Sequence, residues 1–380
     1  MVKAFDARLD SLIRTLEHLV SLDTPSDDAA AVARALDFVE ERMRALGAQC
    51  ARLGAGDILQ ADLFGSGSAS VLLLCHVDTV FGHGEAARRP FRVEGDRAYG
   101  PGVADMKGGV ALALSVAEVL QTAGPTYRNL RLLFTGDEEM GALRSRDAIL
   151  QAAQGCDAAL VLEPGRPGGE VVSARKGVGA FLLRAQGRAA HAGVDPERGR
   201  SAVTEIARRI VAISDLNGRL PGATFNVGVF EGGTHANVVA EEAHCEIDVR
   251  IARVQDAEVA HELLRRAALR ASDQDVQLTL EGEFSSLPME KGPGTQWLLG
   301  HASAAAQNLG FTLKDIATGG GSDGNRLARA GIPVLDALGP VGGRAHSADE
   351  YIEVPSIPLR GALIAGIITR IAKERHADPA

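Results

Sequence analysis

Five residues spread along the chain are of the types that hold hard or borderline cations, and each sits in a short motif suited to the task. They are His76 in LLLCHVDTV, Asp105 in GPGVADMKGG, Glu139 in LLFTGDEEMG, Glu163 in ALVLEPG and His346 in GGRAHSADE. Imidazole and carboxylate donors in that number suit a pair of divalent cations, and a two-metal site activates water for hydrolysis. Glu138, beside one of these donors, is a spare carboxylate placed to accept a proton from such a water. Two divalent cations would outweigh the ligand carboxylates Asp105, Glu139 and Glu163 by a single charge, which a bridging hydroxide cancels.

Taken singly, each motif has a plainer use. HVD reads as a strand end capped by its own turn, although Asp78 lies on the same side of an extended chain as His76. From there it can accept the imidazole's other N–H and so fix the tautomer. Asp105 reads as the N-cap of a helix beginning near Gly108, although its glycine-rich loop lets the backbone approach an ion. Asp137–Glu138–Glu139 reads as a solvated acidic turn, yet three carboxylates at a buried strand end repel one another unless a cation is near. Glu163 is followed by Pro164, which turns the chain away, and His346 alone would be a surface loop residue.

What unites them is the elements that must position them. The apolar runs Ser70–Cys75, Leu130–Phe134 and Ala158–Leu162 read as buried strands. Helices are expected at Asp6–Leu22, at Ala29–Leu46 after a Ser26–Asp27 cap, and at Gly109–Gln121. That alternation predicts a mostly parallel sheet with helices on both faces, and four of the five motifs follow apolar strands. After Lys176 the tempo changes. Gly177–Gln186, Thr224–Glu231, Ala243–Ile251 and Val276–Glu281 read as strands, interrupted by helices near Ser201–Leu216 and Asp256–Ser272. This order is that of a small ferredoxin-like α+β domain. The first pattern resumes with a helix from Gly294 to Leu309, the strand Pro333–Ala337 and a final helix from Ser356. The expected boundaries are 1–176 and 288–380 for an α/β metal-binding domain, with 177–287 inserted.

Composition narrows the class. With 380 residues, 46% hydrophobic and 23% charged, the chain is expected to be globular with more than one domain. A net charge of −9 without a Lys/Arg run argues against nucleic acid. Cys50, Cys75, Cys156 and Cys245 are widely spaced and lack a CxxC pair, which reads as free thiols. The charged, amphipathic N-terminus is not a signal peptide, and no apolar run reaches the roughly 18 residues of a membrane span. A cytoplasmic location is expected.

With HVDTV, GPGVADMKGG, TGDEEMG, LEP, AHAG, NVV, DVR, GGGSDG and AHSADE in this order, the chain resembles the M20 metallopeptidase family. It is most similar to the glutamate carboxypeptidase (carboxypeptidase G2-like) branch, from about residue 10 to residue 370. The resemblance implies a catalytic α/β domain with two Zn²⁺ per subunit (Co²⁺ or Mn²⁺ as substitutes), and an inserted lid that makes a homodimer. It implies Asp105 as bridging ligand, His76 and Glu163 on one metal, and Glu139 and His346 on the other. It further implies Glu138 as general base, and His191 of AHAG as a histidine that reaches the partner subunit's oxyanion. Asn237 and Arg250 correspond to lid residues that touch substrate, and Gly319–Gly321 with Ser322 and Asp323 to a loop along it. Without that resemblance His191 reads as structural, Asn237 as a turn residue and Arg250 as an ordinary strand charge.

An enzyme releasing a C-terminal amino acid needs a cation for the free carboxylate. Arg250 is the first candidate, and Arg175 and Lys176 of SARKGVG are the second; the plainer reading of that pair is solvated surface charge. Glutamate-specific relatives carry an Arg after the last lid strand, whereas this chain has LEGEFSSLPME, so an aliphatic, aromatic or basic leaving amino acid fits as well. The expected activity is hydrolysis of an amide to release an amino acid from a peptide or N-acyl amino acid. The alternatives are a biosynthetic deacylase of the acetylornithine or succinyl-diaminopimelate type, or a non-catalytic binding protein on the same scaffold.

Overall fold

In the computed structural model, which describes residues 1–377, the run Ser70–His76 is a strand buried at every position. A strand covered on both faces has no polar side to alternate with, which is why it reads as a continuous apolar run. Asn129–Thr135 and Ala158–Val161 flank it, both parallel. Val334–Leu335 adds a further parallel strand beyond Ala158–Val161. The antiparallel strands Ile58–Phe64 and Gln49–Leu53 extend the other edge, completing a six-stranded mixed sheet. Helices cover it, as expected from the sequence.

The register decides where chemistry can occur. His76 pairs with Thr135, and Leu74 pairs with Val161. Glu163, two residues past Val161, is therefore level with His76, and the Asp137–Glu139 run begins two residues past Thr135. Parallel strands thus deliver their C-terminal ends to one edge, where open α/β sheets place functional groups. The helix Gly108–Thr122 packs tightly beside that edge. A Cβ at Gly109 would lie 2.2 Å from the Leu162 carbonyl oxygen, so only glycine allows this approach next to Glu163.

Three local expectations are corrected. The helix expected over Asp6–Leu22 is two helices, Val2–Asp6 and Leu9–Val20. Phe5 is buried against Gly361 of the final helix, where a Cβ would lie 2.5 Å from its ring, so the short first helix has a packing site of its own. The helix Ala29–Ala45 is capped by Asp28, whose carboxylate accepts from the amides of Ala30 and Ala31 at 3.0 Å, not by Ser26–Asp27. Ser26 is occupied elsewhere, donating to Asp78 at 2.6 Å. The hairpin Gln49–Leu53 and Ile58–Phe64 was not expected at all. Gln49–Leu53 is the edge strand and carries polar residues that fit one, Ile58–Phe64 is mostly buried between it and Asn129–Thr135, and the Gly54–Asp57 turn interrupts any clear periodicity.

The chain divides into two compact units: Met1–Ser173 with Lys291–Ala317 and Ser322 onward, and Ala174–Glu290 with Thr318–Gly321. The second unit has a four-stranded antiparallel sheet in the order Thr224–Gly232, Glu242–Ile251, Gly177–Gln186, Gln277–Ser286. The helices Ala202–Ser214 and Ala257–Leu269 supply Ile206 and Leu264 to a core with Leu183, Cys245 and Val249. Strand Gly177–Gln186 buries every second residue, the period-2 signature of a sheet packed on one face. All four cysteines are free thiols. No helix among the described residues is long and apolar enough to cross a membrane.

Candidate metal centre

Asp105 is the hub of the site. One carboxylate oxygen, Oδ1, lies 3.1 Å from His76 Nε2, and the other, Oδ2, lies 3.3 Å from His346 Nε2. Each histidine has a second carboxylate beside it: Glu163 Oε1 is 3.7 Å from His76 Nε2, and Glu139 Oε2 is 3.1 Å from His346 Nε2. One donor atom each from His76, Asp105 and Glu139 lie within 4.8 Å of one another, as do those of His76, Glu138 and Glu163. The second grouping includes Glu138, so distance alone does not separate a ligand from a base. Asp105 does not cap the following helix, whose N-cap is Lys107 with no side-chain bond.

Beneath these groups lies a layer that sequence reading reached only in part. His76 Nδ1 is 3.0 Å from the Asp78 carbonyl oxygen and 3.4 Å from its Oδ1. The fully buried Asp78 carboxylate also accepts from Ser26 Oγ and from the amides of Glu138 and Glu139, at 3.2 and 3.1 Å. One aspartate therefore aligns the imidazole and both glutamates. Of the acidic run, Asp137 serves the turn itself, accepting from the amides of Arg144 and Ser145. Glu350, in the same motif as His346, accepts from the amides of Gly102, Ala104 and Asp105 at 2.8–2.9 Å and clamps the loop that carries Asp105. Ser26 was expected only as part of a helix cap, not as a partner of Asp78; Glu350 was inside a quoted motif but had no assigned role.

The electrostatics describe carboxylates in excess of positive charge. Burial pushes Glu138 and Glu163 well above the usual range, helped by neighbouring carboxylates and opposed by His76. Burial also raises Glu139 and Asp323 to about 7 each. Burial works against charge on Asp105 as well, but His346 and His76 outweigh it and hold Asp105 well below the usual range. His76 is raised, because Asp105 and Asp78 overcome the burial that opposes its charge. His346 reaches about 9, chiefly through Asp105. Glu139 Oε1 is buried without a hydrogen-bond partner among the described residues. An orphaned oxygen inside two histidines and several strained carboxylates is a donor set that divalent cations would satisfy, so the residues fit metal.

The remaining candidates lie elsewhere in the fold. His191, Asn237 and Arg250 all belong to the second unit. His191 is exposed, with Nδ1 accepting from the Gly193 amide at 3.1 Å, and Asn237 is exposed beside it, its carbonyl accepting from Ala192 at 2.9 Å. Arg250 is paired bidentately with Asp248, at 2.8 Å to each carboxylate oxygen. Arg175 is buried rather than solvated: Nη1 donates to the carbonyls of Gly320 and Gly321 at 3.2 Å, and the Lys176 amide donates to Thr318. In the glycine-rich loop, Gly319 and Gly320 are exposed, whereas Ser322 is buried and donates to Asp336 at 2.6 Å. Asp323 is buried in the first unit and adds to the negative field on Glu138.

The sequence pattern of Peptidase family M20/M25/M40 matches residues 72–370. Carboxypeptidase G2 of Pseudomonas sp. (strain RS-16) is 34% identical over 367 residues, covering 94% of this chain and 88% of its own. Succinyl-diaminopimelate desuccinylase of Dinoroseobacter shibae is 29% identical over 366 residues, covering 90% and 94%. Among solved structures, the Bacillus subtilis YXEP protein, a dinuclear metal binding peptidase, shares the fold with a TM-score of 0.75. It is 16% identical, with 97% of this chain and 99% of that chain covered. The chain belongs to peptidase family M20/M25/M40 and is a metal-dependent peptidase or amidohydrolase.

Proposed function

We propose that the protein releases an amino acid from a peptide or N-acyl amino acid by hydrolysing one amide bond at a dinuclear zinc centre. The observation that carries this is Asp105, whose two oxygens face different histidines, each with a further carboxylate at hand. On this reading His76, Asp105 and Glu163 hold one cation, and Asp105, Glu139 and His346 the other. Imidazole and carboxylate donors suit zinc, with cobalt or manganese as substitutes. Bound there, two divalent cations supply the positive charge that polarises the scissile carbonyl and makes water nucleophilic near neutral pH.

The protein's own groups do the rest. Glu138, aligned by Asp78 through its amide, takes a proton from the attacking water and returns it to the leaving amine. Glu138, which burial holds above the usual carboxylate range, would lose proton affinity beside bound cations, as a base working near neutral pH requires. Arg250, 29% exposed and steadied by Asp248, is assigned to the free carboxylate of the substrate. Arg175 is a weaker candidate, because part of its guanidinium already serves main-chain carbonyls. Homodimerisation through the second unit, with His191 serving the partner subunit's oxyanion, Asn237 touching substrate and the Gly320 loop lying along it, completes the proposal. A biosynthetic deacylase is the second reading, favoured by the desuccinylase relative.

Glu138→Gln tests the assignment of the base. It is expected to retain its metal while kcat falls by about 10²- to 10⁴-fold, measured by single-substrate kinetics beside metal analysis. Near-normal turnover would remove Glu138 from that role.

A further inference from the structure

We infer that Arg89 is a positioning residue for His346, and so governs one of the two metal positions; this rests on the dinuclear reading above. His346 is an awkward ligand. Its side chain is 52% exposed, and its backbone sits at φ +63°, with Arg344 at +57°. Residues with a Cβ hold that left-handed region only when their surroundings fix them there. The turn's internal bonds, from Ser347 N and Oγ to the Arg344 carbonyl at 3.2 and 2.7 Å, shape it but do not anchor it to the rest of the first unit.

Arg89 supplies an anchor from a distant segment. Its Nη1 donates to the carbonyl of Ser347, the residue after His346, at 3.0 Å. The guanidinium is itself fixed on its other edges. Its Nε donates to Glu85, and its plane lies over the Phe81 ring, 4.5 Å from the centroid. Glu85 is held by Arg88 at 2.8 and 2.9 Å. The turn bearing Glu85 is pinned by Asp23, which accepts from the amides of Gly84 and Ala86 at 2.7 and 2.8 Å. Only 14% of the Arg89 side chain is exposed, so little solvent competes for the Ser347 carbonyl. Lysine could reach that carbonyl but could not hold Glu85 and stack on Phe81 in the same planar arrangement.

An anchor of this kind should act on one cation position and spare the other, because His76 and Glu163 sit on strand ends that Arg89 does not touch. The test is titration of the metal-free full-length protein with Co²⁺, followed by visible absorption and equilibrium dialysis, for wild type, Arg89→Ala, Arg89→Lys and His346→Ala. His346→Ala should lose one position. Arg89→Ala should weaken that same position by about 10- to 100-fold and leave the tighter one unchanged, with turnover restored by excess Co²⁺. Arg89→Lys should recover part of the loss. The unchanged position reports that the variant is folded. Two unaltered positions in Arg89→Ala, or equal weakening of both, would overturn the role. If His346→Ala keeps both positions, the reading of the centre itself fails and the inference falls with it.

Discussion

The groups in and beneath the candidate metal centre and three candidate substrate residues of the second unit are held in opposite ways. In the first, His76, Asp78 and Glu163 are almost wholly buried, and Asp78 alone serves Ser26, two amides and an imidazole. In the second, His191 and Asn237 stand exposed, with few bonds of their own, and Arg250 leans on a neighbour in its own strand. A preorganised centre must be rigid before substrate arrives, since its donors would otherwise repel or collapse. Groups that meet substrate only on binding need no such support. On the function proposed above, the contrast separates residues that define the chemistry from those that meet the substrate.

The sharpest way to break this contrast is a change in the hub. Asp105→Asn should strip both cations and lower kcat/KM by about 10³-fold or more, seen by metal analysis after dialysis and by kinetics. Full metal content in that variant would contradict a shared ligand. A change in the second unit should behave differently. His191→Ala is expected to lower kcat by about 10²-fold with metal content unaltered. If it sheds metal instead, His191 belongs to the centre and the separation between the units fails.

The gentlest probe is pH. His346 is raised from 6.5 to about 9 in the metal-free protein, so between these values the folded chain holds a proton there that the unfolded chain has lost. Its contribution to metal-free stability is complete below about 6.5 and disappears as pH rises through about 9. Metal must displace that proton, so His346 alone should make affinity climb by up to about tenfold per pH unit below about 9, with the other protonated ligands steepening the rise. Calorimetry in buffers of different ionisation enthalpy would register the released proton. Affinity independent of pH would show that His346 does not bind metal.

Much of the first unit was legible because its central strands are largely buried and leave mostly apolar runs ending near His76, Thr135 and Val161. Register then followed from parallel pairing. The supporting layer was harder to see. Glu350 meets the amide of Asp105 across 245 positions, and Ser26 meets Asp78 across 52. Serine and glutamate are ordinary in loops, and only the fold brings these together. Arg175 misled for a similar reason: an arginine beside a lysine reads as surface charge until main-chain carbonyls are found around it. The hairpin at Gln49–Phe64 was missed because its edge strand carries polar residues without a clean period, and Gln60 and Asp62 break the apolar run of its inner strand.

The measurement that bears most directly on the account is metal content of the purified protein, taken with hydrolysis of a dipeptide and N-acyl amino acid panel, with and without chelator. The account predicts about two divalent ions per chain and release of a free amino acid that stops on chelation and returns with zinc. Amide hydrolysis by protein stripped of metal, or a fully loaded centre holding a single ion, would contradict it.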